Sequence, residues 1–223
     1  MPIARCAVAA AVAVGRLIRF VDGGSLAPAL PAGATIHDPA ARGTKVAVVA
    51  DWGGANLHTA LFVVDGGRTT KVADEPDPFS EQPQPVWSPD GTRIAFVRNG
   101  DVWTMAADGS DQVQLSHTPR ALDGGAVWSP DSQQVAYFTT RHGTTETYAA
   151  PAAGGAELRL THTRPMGPGV PHVGTRPVAW AGDRVAVASF NAIATVPASG
   201  GPLDVICRQP LRAWNAYGTG SWR

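Results

Sequence analysis

Six histidines, at positions 37, 58, 117, 142, 162 and 172, are the side chains best able to ligate a metal or move a proton near neutral pH. Their spacing fits no ligand pair on one strand. His117 and His162 hold equal places in Leu115-Ser116-His117-Thr118 and Leu160-Thr161-His162-Thr163, so they read as residues of a repeat before they read as ligands. The acids follow the same logic. Asp90 and Asp131 stand in two Ser-Pro-Asp segments, and a catalytic acid is needed once whereas a turn acceptor is needed at every turn. No Gly-x-Ser-x-Gly elbow, HExxH pair, Walker loop or dinucleotide fingerprint occurs in the chain. Cys6 and Cys207 are far apart and neither lies in a CxxC pair, which supports neither a zinc site nor a disulfide framework. The sequence therefore assigns no catalytic, cofactor-binding or metal-binding residue, and implies no cofactor.

The residues that recur are those that build elements. From Pro85 to His117 the chain reads as four short strands. Val86-Trp87 ends the first, and Ser88-Pro89-Asp90-Gly91 has the residue order of a type I turn closed by a left-handed glycine. Arg93 to Arg98 is the second strand, Asn99-Gly100 a tight hairpin, Asp101 to Ala106 the third strand, Asp108-Gly109 a turn and Gln112 to Leu115 the fourth strand. The turn before the fourth strand recurs at Gly23, Gly66, Gly109, Gly154 and Gly200, in steps of 43, 43, 45 and 46 residues. The first-strand motif recurs as Trp128-Ser129-Pro130-Asp131, as Trp180-Ala181-Gly182-Asp183, and faintly as His37-Asp38-Pro39. Trp87, Trp128 and Trp180 are thus expected to pack between neighbouring sheets, each burying roughly 150–250 Å²; Trp52 and Trp103 fall outside that register.

A four-stranded unit repeating every 40 to 45 residues predicts an all-β fold, a β-propeller of antiparallel four-stranded blades, with four to five blades present, either a five-blade ring or part of a six-bladed one. The repeats around WSPDGTRIAF, VWTMAADGS and QLSHTP resemble the TolB-type β-propeller repeat, over roughly residues 34 to 207. That resemblance implies a fold shared by exported scaffold proteins and by the propeller domains of prolyl-oligopeptidase-like peptidases. It favours a non-enzymatic scaffold that holds a protein partner, with a propeller lacking its hydrolase domain as the alternative.

Zero formal net charge, from 18 basic and 18 acidic residues without a basic run, excludes a phosphate-tracking surface and so a nucleic-acid partner. No apolar stretch is long enough to span a bilayer as a helix. Residues 1–31 read either as a signal-like segment, which would send the protein to the periplasm or outside the cell, or as strands of a closing blade in a cytoplasmic protein. Residues 32–210 carry the blades. Residues 211–223 contain Ala213-Trp214-Asn215-Ala216-Tyr217-Gly218, an outline of the first-strand motif, so Leu211 to Trp214 is expected to close the ring. The Pro- and Gly-rich crossing 162–175, with His162, Arg164, Met166 and His172, is the expected contact surface.

Overall fold

The computed structural model describes residues 11–14, 16–20, 24–75, 85–119, 121–163, 174–189 and 192–208. β1 (Ala11–Val14), β2 (Leu17–Phe20) and β3 (Ser25–Leu26) form a three-stranded antiparallel sheet. Four four-stranded sheets follow: β4 (Thr35–Arg42), β5 (Lys45–Trp52), β6 (His58–Asp65), β7 (Arg68–Glu75); then β8 (Val86–Trp87), β9 (Arg93–Arg98), β10 (Asp101–Ala106), β11 (Val113–Gln114). The fourth comprises β12 (Asp123–Trp128), β13 (Gln134–Thr139), β14 (Glu146–Pro151) and β15 (Leu158–Arg159). The fifth is β16 (Arg176–Ala181), β17 (Arg184–Ser189), β18 (Ala192–Pro197) and β19 (Asp204–Arg208). Among the described residues no helix is long and apolar enough to cross a membrane.

Each four-stranded sheet is an up-and-down meander, and the first strands of successive sheets touch, β4 with β8, β8 with β12 and β12 with β16. They therefore lie on the inside of the arc. The middle strands are buried continuously instead of alternately, as in Val46 to Ala50 and Ile94 to Val97, because both faces of an interior sheet are covered. Trp87 and Trp128 fill the interfaces. Each indole Nε1 donates, at 2.9 Å, to a first-strand carbonyl of the sheet before it, Trp87 to Ala40 and Trp128 to Val86. Trp180 is half-buried, packed against the Ala136, Leu160 and Val185 cluster.

The turns are where glycine's conformational freedom matters. Gly91 closes the Ser88 turn with a 2.9 Å N–H···O bond and φ of +73°. Ser132, in the same place one sheet on, keeps that turn at φ +62°, and its Oγ accepts the Asp90 N–H at 3.1 Å across the interface. The left-handed strain of a non-glycine residue thus coincides with an inter-sheet bond that glycine could not make.

His37-Asp38-Pro39, the faint copy of the first-strand motif, lies inside β4, where the register shifts between His37 and Ala40 and Asp38 takes φ +45°. A bulge accommodates the proline, which has no N–H for the ladder, and the turn itself falls at Gly43 and Thr44, between the Arg42 and Lys45 pair. β7 runs on to Glu75, extending the second sheet. β1 pairs with β2 from Ala11 opposite Phe20 to Val14 opposite Leu17, and residues 1–10 lie outside the described residues. β1 lies against β4 as β9 lies against β12 and β13 against β16, so β1, β2 and β3 are the second, third and fourth strands of their blade, and a first strand is missing among the described residues. Leu211 to Trp214 lies outside them.

A methyl group at Gly109 would meet the Val72 oxygen of the preceding sheet at 2.7 Å, at a φ of +90°. At Gly66, φ +56°, it would meet nothing within 4 Å. Gly66→Ala is therefore expected to cost about 1 kcal/mol, from backbone strain alone, and Gly109→Ala at least about 2 kcal/mol. Urea unfolding of the two variants checks the difference.

Candidate functional site

The turns joining strands one to two and three to four gather at one end of the sheets. The strand-two-to-three turns and the crossings between sheets gather at the other. At the first end Ser88 Oγ donates to Asp90 Oδ1 at 2.6 Å and accepts the Arg93 N–H at 2.9 Å. Ser129 repeats this with Asp131 and Gln134. The serine hydroxyls lower the pKa of both carboxyls below the ordinary aspartate range, making them poor bases. No histidine joins either pair, so the geometry is that of a turn, not an activated nucleophile. Grooves of about 700 Å³, by Lys45, Asp65, Arg68 and Asp108, and about 460 Å³, by Gln134, Pro151 and Asp183, open at this end. Their recurrence between two pairs of sheets marks them as the spacing between splayed turns.

The crossing end carries a carboxylate at the first residue of the third strand in two successive sheets: Asp101 accepts from Gln114 Nε2 at 2.8 Å, Ser116 Oγ at 3.3 Å and Thr118 N at 3.2 Å, and Glu146 holds the same place one sheet on. Glu146, its side chain 0% exposed, starts β14. It accepts from Thr161 Oγ1 at 2.6 Å, Thr163 N at 2.8 Å, Thr163 Oγ1 at 2.5 Å and Thr144 Oγ1 at 3.1 Å, with Arg159 at 3.2 Å. Burial alone would raise its pKa, but the threonine donors and Arg159 outweigh it and hold the carboxyl below its usual value. Thr175, at the far side of the crossing, bonds Thr161 Oγ1 at 2.6 Å and Thr147 Oγ1 at 3.2 Å. A single buried carboxylate and its threonine neighbours thus pin both ends of the crossing that leaves β15 and returns to β16.

Beside this anchor, the Arg141 guanidinium lies 4.4 Å from the Tyr148 ring centroid and reaches both oxygens of Glu157. Tyr137 donates its hydroxyl to the same carboxylate. Burial and then the Glu157 bond push the Tyr137 pKa up, while the Glu157 bond raises that of Arg141. Burial opposes ionisation of Glu157, but Arg141 and Tyr137 hold its pKa low, with a smaller contribution from nearby His117. His142 Nε2 is 2.7 Å from the Tyr148 hydroxyl. Asp123, 3% exposed, accepts from Thr118 at 2.5 Å. This ridge offers fixed charges and hydrogen-bonding edges suited to polar peptide groups. Among the described residues no cluster of three or more His, Cys, Asp or Glu could hold a metal.

Of the residues singled out from sequence, Trp87 and Trp128 are buried between sheets, Asp90, Gly91 and Asp131 close turns beside Pro89 and Pro130, and Trp180 is half-buried. His162 is exposed at the start of the crossing, and Arg164, Met166 and His172 lie outside the described residues. Glu146, Arg141 and Glu157 were not anticipated; the threonines crowding residues 139 to 163 were the available signal.

Residues 58–166 match the family described as the dipeptidyl peptidase IV N-terminal region. Superposition on the putative TolB of Agrobacterium tumefaciens gives a TM-score of 0.62 at 16% identity, over 87% of this chain and 75% of that one. The chain has the β-propeller fold seen in TolB. The β-propeller domain of the Trilobed protease from Pyrococcus furiosus superposes with a TM-score of 0.58 at 15% identity, over 79% of this chain and 58% of that one. Tricorn protease homolog 1 of Streptomyces coelicolor is 38% identical over 81 residues, 33% of this chain. The chain spans only 7% of that relative.

A carboxyl held below its unfolded pKa stabilises the fold above that value and ceases to do so as pH falls through the folded one. Stability is therefore expected to be flat above about pH 5 and to drop below about 4.5, as Glu146 and Glu157 protonate. Glu146→Gln should cost about 1–3 kcal/mol at pH 7, a gap that narrows below pH 4 in denaturant titrations; an unchanged gap contradicts the charged-anchor reading.

Proposed function

We propose that this propeller is a non-enzymatic binding module that holds a protein partner, taken as an extended polar peptide segment, across its crossing end. The observation that carries this reading is the ridge of Arg141, Glu157, Tyr137 and His142 beside the crossing pinned by Glu146: one sheet earlier Arg98 lies over the Trp103 ring and bonds the neutral Gln112, and here that partner is replaced by the carboxylate Glu157, which fixes an ion pair in the same place. The crossing residues His162, Arg164, Met166 and His172 supply the variable part of the contact. A peptide array probed with the full chain tests it: selected peptides should lose at least tenfold in affinity with Arg141→Ala and keep it with Lys45→Ala at the opposite end. Equal affinity in the parent and Arg141→Ala would place the partner elsewhere.

The second reading is a propeller that admits or docks substrate for a hydrolase domain, favoured by the likeness of residues 58–166 to a peptidase region. On either reading the purified chain should give no turnover of fluorogenic peptide or ester substrates above buffer. Turnover abolished by changing one serine or histidine would contradict both.

A further inference from the structure

Among the described residues, three guanidinium groups at the crossing end lie over aromatic rings, and they differ in what their N–H edges meet. Arg98 lies 4.0 Å from the Trp103 ring centroid and donates to Gln112 Oε1 at 3.0 Å. Arg141 lies 4.4 Å from that of Tyr148 and is spent on Glu157. Arg176 lies 4.2 Å from that of Phe138, and among the described residues its exposed side chain has neither a hydrogen bond nor an ion pair.

Several elements hold this one guanidinium in place. Arg176 opens β16, the inner strand of the fifth sheet, directly after Thr175, which is 3% exposed. The Thr175 N–H donates to the Thr145 carbonyl at 2.7 Å, and the Thr175 carbonyl accepts from Thr147 Oγ1 at 3.2 Å. Its hydroxyl bonds Thr161, itself a donor to Glu146, so the backbone that presents Arg176 is tied to the buried anchor. Phe138 is nearly buried, and its ring lies against Gly124 and Gly125 of β12, where a methyl group would meet it at 3.3 Å and 3.0 Å. Two small residues thus make room for the ring, and the ring orients the guanidinium. A guanidinium lying on a ring keeps its N–H edge for a planar acceptor that takes two bonds at once. A dianionic phosphate would call for a second unpaired cation, but Arg141 and Arg159, which the fourth sheet brings to this end, are paired with Glu157 and Glu146. One unpaired guanidinium matches one carboxylate.

We propose that Arg176 anchors a carboxylate of the bound peptide, its C-terminus or an Asp or Glu side chain, at the inner rim of the crossing end. The inference rests on the peptide reading above and deepens it by naming the group recognised. Phe138 and Arg141 stand three residues apart, at most about 10 Å along an extended chain, so a peptide of a few residues reaches from the ridge to Arg176.

The test passes two mixtures of the same acetylated random decapeptides, one with free carboxyl termini and one amidated, over the immobilised full chain and quantifies what is retained by mass spectrometry. A tenfold preference for the free acids marks the terminus as the source of the carboxylate; a tenfold enrichment of Asp or Glu in both mixtures marks a side chain. Arg176→Gln should abolish whichever preference is found, and Arg176→Lys, which keeps the charge and loses the planar fork, should recover only part of it. Retention lost in Arg141→Ala without any carboxylate preference in the parent, or a preference that survives Arg176→Gln, overturns the anchor and leaves the peptide reading standing. An Arg176-dependent preference with full retention in Arg141→Ala does the reverse, keeping the anchor and removing the ridge. Retention of neither mixture by the parent overturns both. Should Arg176→Gln not fold, Arg176→Lys decides, and a parental preference in that variant overturns the anchor.

Discussion

A small twisted sheet with two apolar faces cannot bury either of them by itself, and its isolated stability in water is marginal. Every interior sheet here borrows that burial from its neighbours. The clearest expression is the first-strand indole, which inserts its ring between sheets while its N–H satisfies a carbonyl of the sheet before it. The same contact hides a large apolar surface and leaves no polar atom of the indole without a partner. Further links run alongside it, from Ser132 Oγ to the Asp90 N–H and from Thr104 Oγ1 to the Ala152 carbonyl. Stability in such an array is close to a sum over neighbouring interfaces.

That constraint decides where function can lie. Sheet faces are consumed by stacking, and the turn end is consumed by glycines and Ser-Asp pairs that the repeat requires. Gly109, pressed on Val72, shows how closely adjacent sheets meet there. The crossing end is free to vary, because a crossing need only connect an outer strand to the next inner one. In the fourth sheet that freedom is used for polar groups whose positions are set by buried partners, above all Glu146 and the Arg141–Glu157 pair. Burial makes each of these carboxylates costly to leave unpaired, and the surrounding threonines, Tyr137 and arginines supply the compensating donors.

The repeat was legible because its turns need backbone conformations that few residues adopt: Asn99 and Gly100 at positive φ, Gly91 closing its turn, and the evenly spaced glycines before each fourth strand. Strands bounded by such turns, β9 and β10, lie where the sequence places them. β4 is only faintly marked in the sequence because Asp38-Pro39 carries turn chemistry, which a bulge absorbs inside the strand. Trp180 shares the motif position of Trp87 without sharing its burial, since it packs mainly on Ala136 and Leu160. The ridge was hidden for a deeper reason: Arg141 reaches Glu157 across the Tyr148 ring, and neither periodicity nor spacing encodes which long side chain crosses which ring.

The central claim is that burial across neighbouring sheets, focused on the first-strand tryptophan, holds the array together. A double-mutant cycle between Trp128 and Val102, which sit on opposite sides of one interface in a single cluster, measures it most directly. Equilibrium unfolding of Trp128→Ala, Val102→Ala and the double variant should give a coupling free energy of at least about 1 kcal/mol. Effects that add to within about 0.3 kcal/mol would mean that the two residues stabilise their own sheets independently, and would contradict the account.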